Sequence, residues 1–200
     1  MLLCGSTAWT QTLKITARVF NQAHVPQSVL VSAEKEAAYA LGTAAVEALW
    51  VNCDRPGPCD EAVSPDEFEI LVRETALPNF PNEGGVEAMG RCLLPRDQPG
   101  YYALAYYNEI RDFAKGTSGI STGEILGYVI AHEIGHLLLG ADHQDGTIMQ
   151  SRWGKVELEM IATRQLRFNR SQRAERKNAR MAQNRTRRDQ TLIAALLRAR

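Results

Sequence analysis

The order of elements predicts an α+β domain with a small mixed sheet, a long N-terminal helix and a buried helix that carries the chemistry. Three observations predict it: LKITARVF over 13–20 alternates in a two-residue period, VLVSAEKEAAYALGTAAVEAL has helical spacing, and EILGYVIAHEIGHLLL is apolar around nearly its whole circumference.

The first strand spans 13–20, with apolar residues on alternate positions. The Ala- and Glu-rich stretch 28–49 predicts an amphipathic helix, running into a short strand over Trp50–Cys53. FEILVRETAL, 68–77, is the third strand, and PNFPNEGG, 78–85, breaks structure. Residues 86–94 predict a short edge strand, and YYALAYYNEI, 101–110, a further strand turning helical near Glu109, with Tyr101, Tyr102, Tyr106 and Tyr107 mainly in the core. The buried helix is predicted over 122–139. Ser121 and Glu124 form a capping-box pair at its start, and Gly140 is placed to end it. A last helix is expected over 156–168. No internal repeat is present.

Two hundred residues suffice for one domain, here 13–168. The 23 basic and 23 acidic residues are segregated: from Arg164 onward the chain holds twelve of the bases and two of the acids. The body is therefore acidic and the segment 169–200 is a basic tail, read as partly helical or disordered. A nucleic-acid role for it is disfavoured, because no aromatics beyond Phe168 interleave with the bases. No apolar run reaches the ~20 residues that span a bilayer, so no membrane span is expected. Residues 1–12 have the small and apolar composition of a signal-peptide remnant but lack a basic start. Cys53 and Cys59 flank a loop able to turn and join them, which favours a secreted or cell-envelope location; reduced thiols in a cytoplasmic protein are the alternative, and Cys92 is left over. Cys4 stands too near the start to indicate a lipid anchor.

Inside the buried helix stands AHEIGHLLLGADH. His132 and His136 are four apart, so both imidazoles leave one helical face and can bind one cation. Imidazoles suit Zn²⁺, which in catalytic sites takes three protein ligands and a water. Glu133 stands where its carboxylate can draw a proton from that water and return it to a leaving amine. Two histidines and a glutamate in an apolar helix are expensive to bury without a partner, and a metal supplies one.

His143 follows Gly140, and Ile148-Met149 comes shortly after. At this point the chain resembles the metzincin zinc peptidases, including the matrixin and archaemetzincin types, whose pattern is HExxHxxGxxH followed by a methionine turn. The resemblance is motif-specific over 123–149 and topological over 13–110. It implies a zincin-like fold in which His132, His136 and His143 are metal ligands, Glu133 is the general base, Met149 lies under the site, and 86–94 is the edge strand that pairs with extended peptide. HLLLGADH has one residue more before its glycine than that pattern. His143 is the expected third ligand, Asp142 the alternative at the family's own offset, and a thermolysin-like glutamate, Glu157 or Glu159, a third arrangement. No tyrosine follows Met149 in QSRWG; Trp153 reads as packing, and His24 as a surface residue at a strand end.

The expected function is a zinc endopeptidase, a hydrolase acting on peptide or protein. The alternatives are a degenerate zinc-binding relative that holds a partner without cutting it, and an anionic-polymer binder acting through the basic tail.

Overall fold

The computed structural model describes residues 12–54, 59, 63–64, 66–76, 88–94, 100–117, 119–169 and 171–172. All but residue 12 of the expected signal remnant, the breaker segment 78–85 and nearly all of the basic tail lie outside the described residues.

Five strands form one sheet: β1 (Leu13–Asn21), β2 (Val46–Asn52), β3 (Glu67–Arg73), β4 (Gly90–Leu93) and β5 (Tyr102–Tyr106), in the order β2-β1-β3-β5-β4. The first four in that order run parallel, and β4 pairs antiparallel with β5 at the sheet's edge, Gly90 opposite Ala105 and Cys92 opposite Ala103. The helices are α1 (Gln27–Thr43), α2 (Tyr107–Lys115), α3 (Thr122–Leu139) and α4 (Lys155–Ala162). The predicted α+β architecture, with its mixed sheet and edge strand, is the one found.

Four boundaries differ from the sequence reading. The first helix stops at Thr43, not at 49. Ala45 turns with φ +55°, and 46–49 joins β2 because Val46 to Leu49 pair in parallel with Leu13 to Thr16 of β1. Sheet pairing outweighs the helix propensity of AAVEAL. The third strand ends at Arg73, whose partner Tyr106 is the last residue of β5. The aromatic segment 101–110 divides: Tyr102–Tyr106 is strand, and a full helix begins at Tyr107, whose side chain is only half-buried. The last helix ends at Ala162, where the Thr163 hydroxyl bonds the Glu159 carbonyl (2.8 Å) and Arg164 adopts φ +54°.

The two long helices lie side by side, α1 over β2 and α3 over β5 and β4. Small residues let them approach. A methyl group on Gly127 would run into the Ala33 carbonyl and stand 3.0 Å from both Ala37 N and Glu36 Cβ. In α3 every residue from Gly123 to Leu138 except Glu124 is buried. Its start is fixed as expected: Ser121 Oγ accepts from Glu124 N (3.2 Å), and the Glu124 carboxylate accepts from Ser121 N (2.8 Å).

Beyond α4 an extended segment closes the core. Leu166 and Phe168 are buried, Phe168 N donates to Thr43 Oγ1 (3.2 Å), and the Arg164 guanidinium holds Glu36 with contacts of 2.7 and 3.2 Å. Asn169 and Gln172, which the sequence assigns to the tail, belong to this body: Gln172 is buried and donates to Thr147 Oγ1 at 3.3 Å. Cys53 and Cys59 are joined in a disulfide, and Cys92 is free. Among the described residues no helix is long and apolar enough to cross a membrane.

Candidate metal centre

The site forms where α3, the loop after it and the edge strand β4 meet. His132 and His136 stand one turn apart on α3, both buried, with ring planes nearly perpendicular and Nε2 atoms 3.0 Å apart. Each ring's other nitrogen meets a backbone carbonyl from the loop that follows: His132 Nδ1 lies 2.6 Å from Ile148 O, and His136 Nδ1 lies 2.9 Å from Gly140 O. A carbonyl only accepts, so each Nδ1 carries the hydrogen and each Nε2 presents a lone pair.

Two lone pairs facing each other at that distance repel unless a proton or a cation lies between them. Protonation is opposed by burial, which with the neighbouring His136 pushes His132 down to about 3, and burial likewise holds His136 below the usual imidazole range. The donor set therefore fits a metal ion. His143 supplies the third imidazole: its ring centre is 4.8 Å from that of His136 and 5.6 Å from that of His132. One ligand nitrogen from each of the three lies within 4.8 Å of the others.

The extra residue before Gly140 is absorbed as one more residue of helix. Gly140 N donates to His136 O (2.9 Å), and the chain then reverses through Gly140 at φ +108°, a region an L side chain rarely enters. That reversal brings the exposed His143 back over the helix. The other candidates are placed differently. Asp142 is exposed and acts on the site as a negative charge near His136. Glu157 is engaged at the start of α4, accepting from Gly154 N and Gln150 Nε2 at 2.7 Å each, and Glu159 is exposed.

Met149 is 1% exposed and lies under the site, its sulfur against the α3 backbone at Gly135, between the two histidines. Glu133 is buried beside the imidazoles, and burial raises its carboxyl to about 8 against the opposing pull of Arg91. His132, Glu133, His136 and His143 open into one cleft of about 440 Å³. Its far wall is the edge strand with Gly90, Arg91 and Cys92, residues that no local sequence signal ties to the histidines. Trp153 also lines the cleft, edge-on to His132 with ring centres 5.8 Å apart, and its buried indole N–H has no acceptor. The sequence reading takes it as packing; the structure sets it in the cleft wall, against a candidate ligand. His24 is exposed, as expected.

Fold and site together make a small α+β domain with three histidines grouped under an edge strand. Among solved structures, the chain is similar to a zinc-dependent peptidase from Methanocorpusculum labreanum, with a TM-score of 0.52 and 16% identity over 80% of this chain and 98% of that one. It is also similar to an archaemetzincin from Methanopyrus kandleri (TM-score 0.48, 14% identity, 90% and 99% coverage) and to metalloproteinase-II from Bacteroides fragilis (0.47, 14%, 86% and 55%). No protein-family model and no curated protein sequence matches the chain. The fold shared with the M. labreanum peptidase is the α+β arrangement around one mixed sheet that the sequence reading expected.

Proposed function

We propose that this chain is a zinc-dependent peptidase, cutting within extended peptides, in which His132, His136 and His143 hold the metal and Glu133 is the general base. The observation that carries the reading is the pair of buried lone-pair nitrogens 3.0 Å apart, with a third imidazole in reach and a carboxylate beside them. The M. labreanum peptidase of the same fold supports it.

A zinc ion bound there supplies Lewis acidity, which acidifies a water and polarises a peptide carbonyl. The chain's own residues do the rest. The Ile148 and Gly140 carbonyls fix the tautomer and plane of two ligands, as outer-shell acceptors do in metal sites generally. The buried Glu133 carboxylate accepts the proton of the attacking water and hands it to the departing amine. The outer edge of β4, antiparallel to β5, offers backbone groups to an extended peptide laid along the cleft. The Cys53–Cys59 disulfide supports a secreted or cell-envelope location.

The test is a metal analysis combined with a peptide-library digest, wild type beside Glu133→Ala. Stoichiometric zinc in both proteins and cleavage by the wild type alone is the expected outcome. Cleavage by Glu133→Ala at the wild-type rate would remove the mechanism, and zinc retention without cleavage in either protein would favour the degenerate binding relative.

A further inference from the structure

We propose that Gly90 is a positioning residue for this site: its missing side chain is the seat of the Glu133 carboxylate. The inference rests on Glu133 being the base, but its geometry does not.

Gly90 opens the edge strand β4 and pairs with Ala105 across the antiparallel ladder. A glycine inside a strand costs about 0.5–1 kcal/mol relative to alanine, so its presence calls for a reason. Backbone conformation is not the reason, since Gly90 is not among the positive-φ glycines, which are Gly119, Gly140 and Gly146 among the described residues. Space is. A methyl group built on Gly90 would stand 2.7 Å from Glu133 Oε1, 2.9 Å from the Leu104 carbonyl and 2.9 Å from Val129 Cγ1.

These three atoms differ in how they can respond. The Leu104 carbonyl belongs to β5, the strand to which β4 is bonded, so it moves only if the ladder moves. Val129 lies one turn before Glu133 on the buried face of α3, is 3% exposed, and has a β-branched side chain stiff about χ1. The carboxylate of Glu133 ends the one flexible side chain of the three. With glycine at 90, helix and edge strand close on that carboxylate from two sides and leave it pointing into the cleft it shares with His132 and His136. With alanine, the carboxylate is the group that turns farthest away, while the Leu104 carbonyl and Val129 must also give a little. Displacing a reacting group by about 1 Å costs about 100-fold in rate.

The experiment is a double-mutant cycle in the full chain loaded with zinc. Gly90→Ala is expected to lower kcat by about 10- to 100-fold, with KM within about threefold and zinc content unchanged. In a Glu133→Asp background, where the carboxylate is one methylene shorter and withdraws from the seat, adding Gly90→Ala should cost less than about threefold more. Full activity in Gly90→Ala, or the same factor lost in both backgrounds, overturns the proposal. A second cycle needs no catalysis. The unfolding midpoint of Gly90→Ala should fall more in wild type than in Glu133→Ala, where no carboxylate meets the new methyl. Equal falls, or failure of Gly90→Ala to fold in both backgrounds, overturn it equally. Because this cycle is read by melting alone, it decides the matter even if the protein proves to cut no peptide.

Discussion

Adding one methyl group at Gly135 and one at Gly42 separates helix propensity from packing in the floor of the site. Both are helical glycines, and Gly→Ala in a helix gains about 0.5–1 kcal/mol by propensity alone. At Gly42, exposed in the last turn of α1, a methyl meets nothing within 4 Å, so Gly42→Ala should keep that gain. At Gly135 it would run into Met149 Sδ and stand 2.9 Å from Phe168 Cε1 and 3.1 Å from Phe168 Cζ. Overfilling a packed core costs about 1–3 kcal/mol, which outweighs the propensity gain. Gly135→Ala should therefore be destabilised by about 1 kcal/mol and Gly42→Ala stabilised by somewhat less. At about 2–4 °C per kcal/mol for a chain of this size, the two midpoints should stand about 5 °C apart. Thermal unfolding of the metal-free proteins measures this. The displaced Met149 follows Ile148, whose carbonyl holds His132 Nδ1, so Gly135→Ala should also weaken zinc about 10-fold or more, read by competition with a chromogenic chelator. A Gly135→Ala protein as stable as Gly42→Ala would refute the packing of methionine and phenylalanine beneath the helix.

Three further outcomes follow from other parts of the structure. Zinc at 1,000 times its dissociation constant should raise the unfolding free energy by about 4 kcal/mol, and His136→Ala should abolish most of that rise in the same scanning-calorimetry experiment. Reducing Cys53–Cys59, or replacing both by serine, reopens a loop with a sequence separation of 6; the chain-entropy model puts the loss at about 2 kcal/mol, measurable by urea unfolding. Tyr128 is fully buried with no partner for its hydroxyl, and burial, with help from Tyr39 and Glu36, pushes its phenol up to about 12. The stability tied to keeping that phenol neutral is complete below the unfolded pKa near 10 and is lost as pH rises through about 12. Tyr128→Phe should therefore be nearly neutral at pH 7 and should flatten the decline between pH 10 and 12; an unchanged alkaline profile would count against the burial of that hydroxyl.

What could be read in the sequence was what local rules control. The capping pair Ser121–Glu124, the apolar circumference of 122–139 and the His132–His136 spacing are all contained in one helix, and the structure keeps them unchanged. The span 44–49 was misread because its alanines and glutamate favour helix locally, while the deciding contacts lie with Leu13 to Thr16, some thirty residues away. The α2 helix was shortened in the reading because the run of tyrosines before it looks like strand until the sheet ends at Tyr106. The cleft's far wall was legible only through the resemblance, which made 86–94 the edge strand beside the substrate; that Gly90, Arg91 and Cys92 meet Glu133 follows from the pairing of β4 with β5, about forty residues from the helix.

The helix that carries two of the imidazoles does not by itself make a metal site. Its histidines acquire their tautomers from Gly140 and Ile148, its third partner from His143, and its floor from Met149, all in the loop that follows. That loop is in turn fastened by the last segment of the body, since Ile148 N donates to Arg167 O (3.1 Å) and Thr147 Oγ1 accepts from Gln172. Arg167 and Phe168 are tied back to α1 through Arg164, which holds Glu36, and through the Thr43 hydroxyl. The donor geometry is thus set by a closed circuit of backbone and side-chain hydrogen bonds running from α1 through the C-terminal segment to the loop and back to α3. Because the site's precision resides in that circuit, loosening the segment at 164–168 should weaken the metal before it unfolds the sheet.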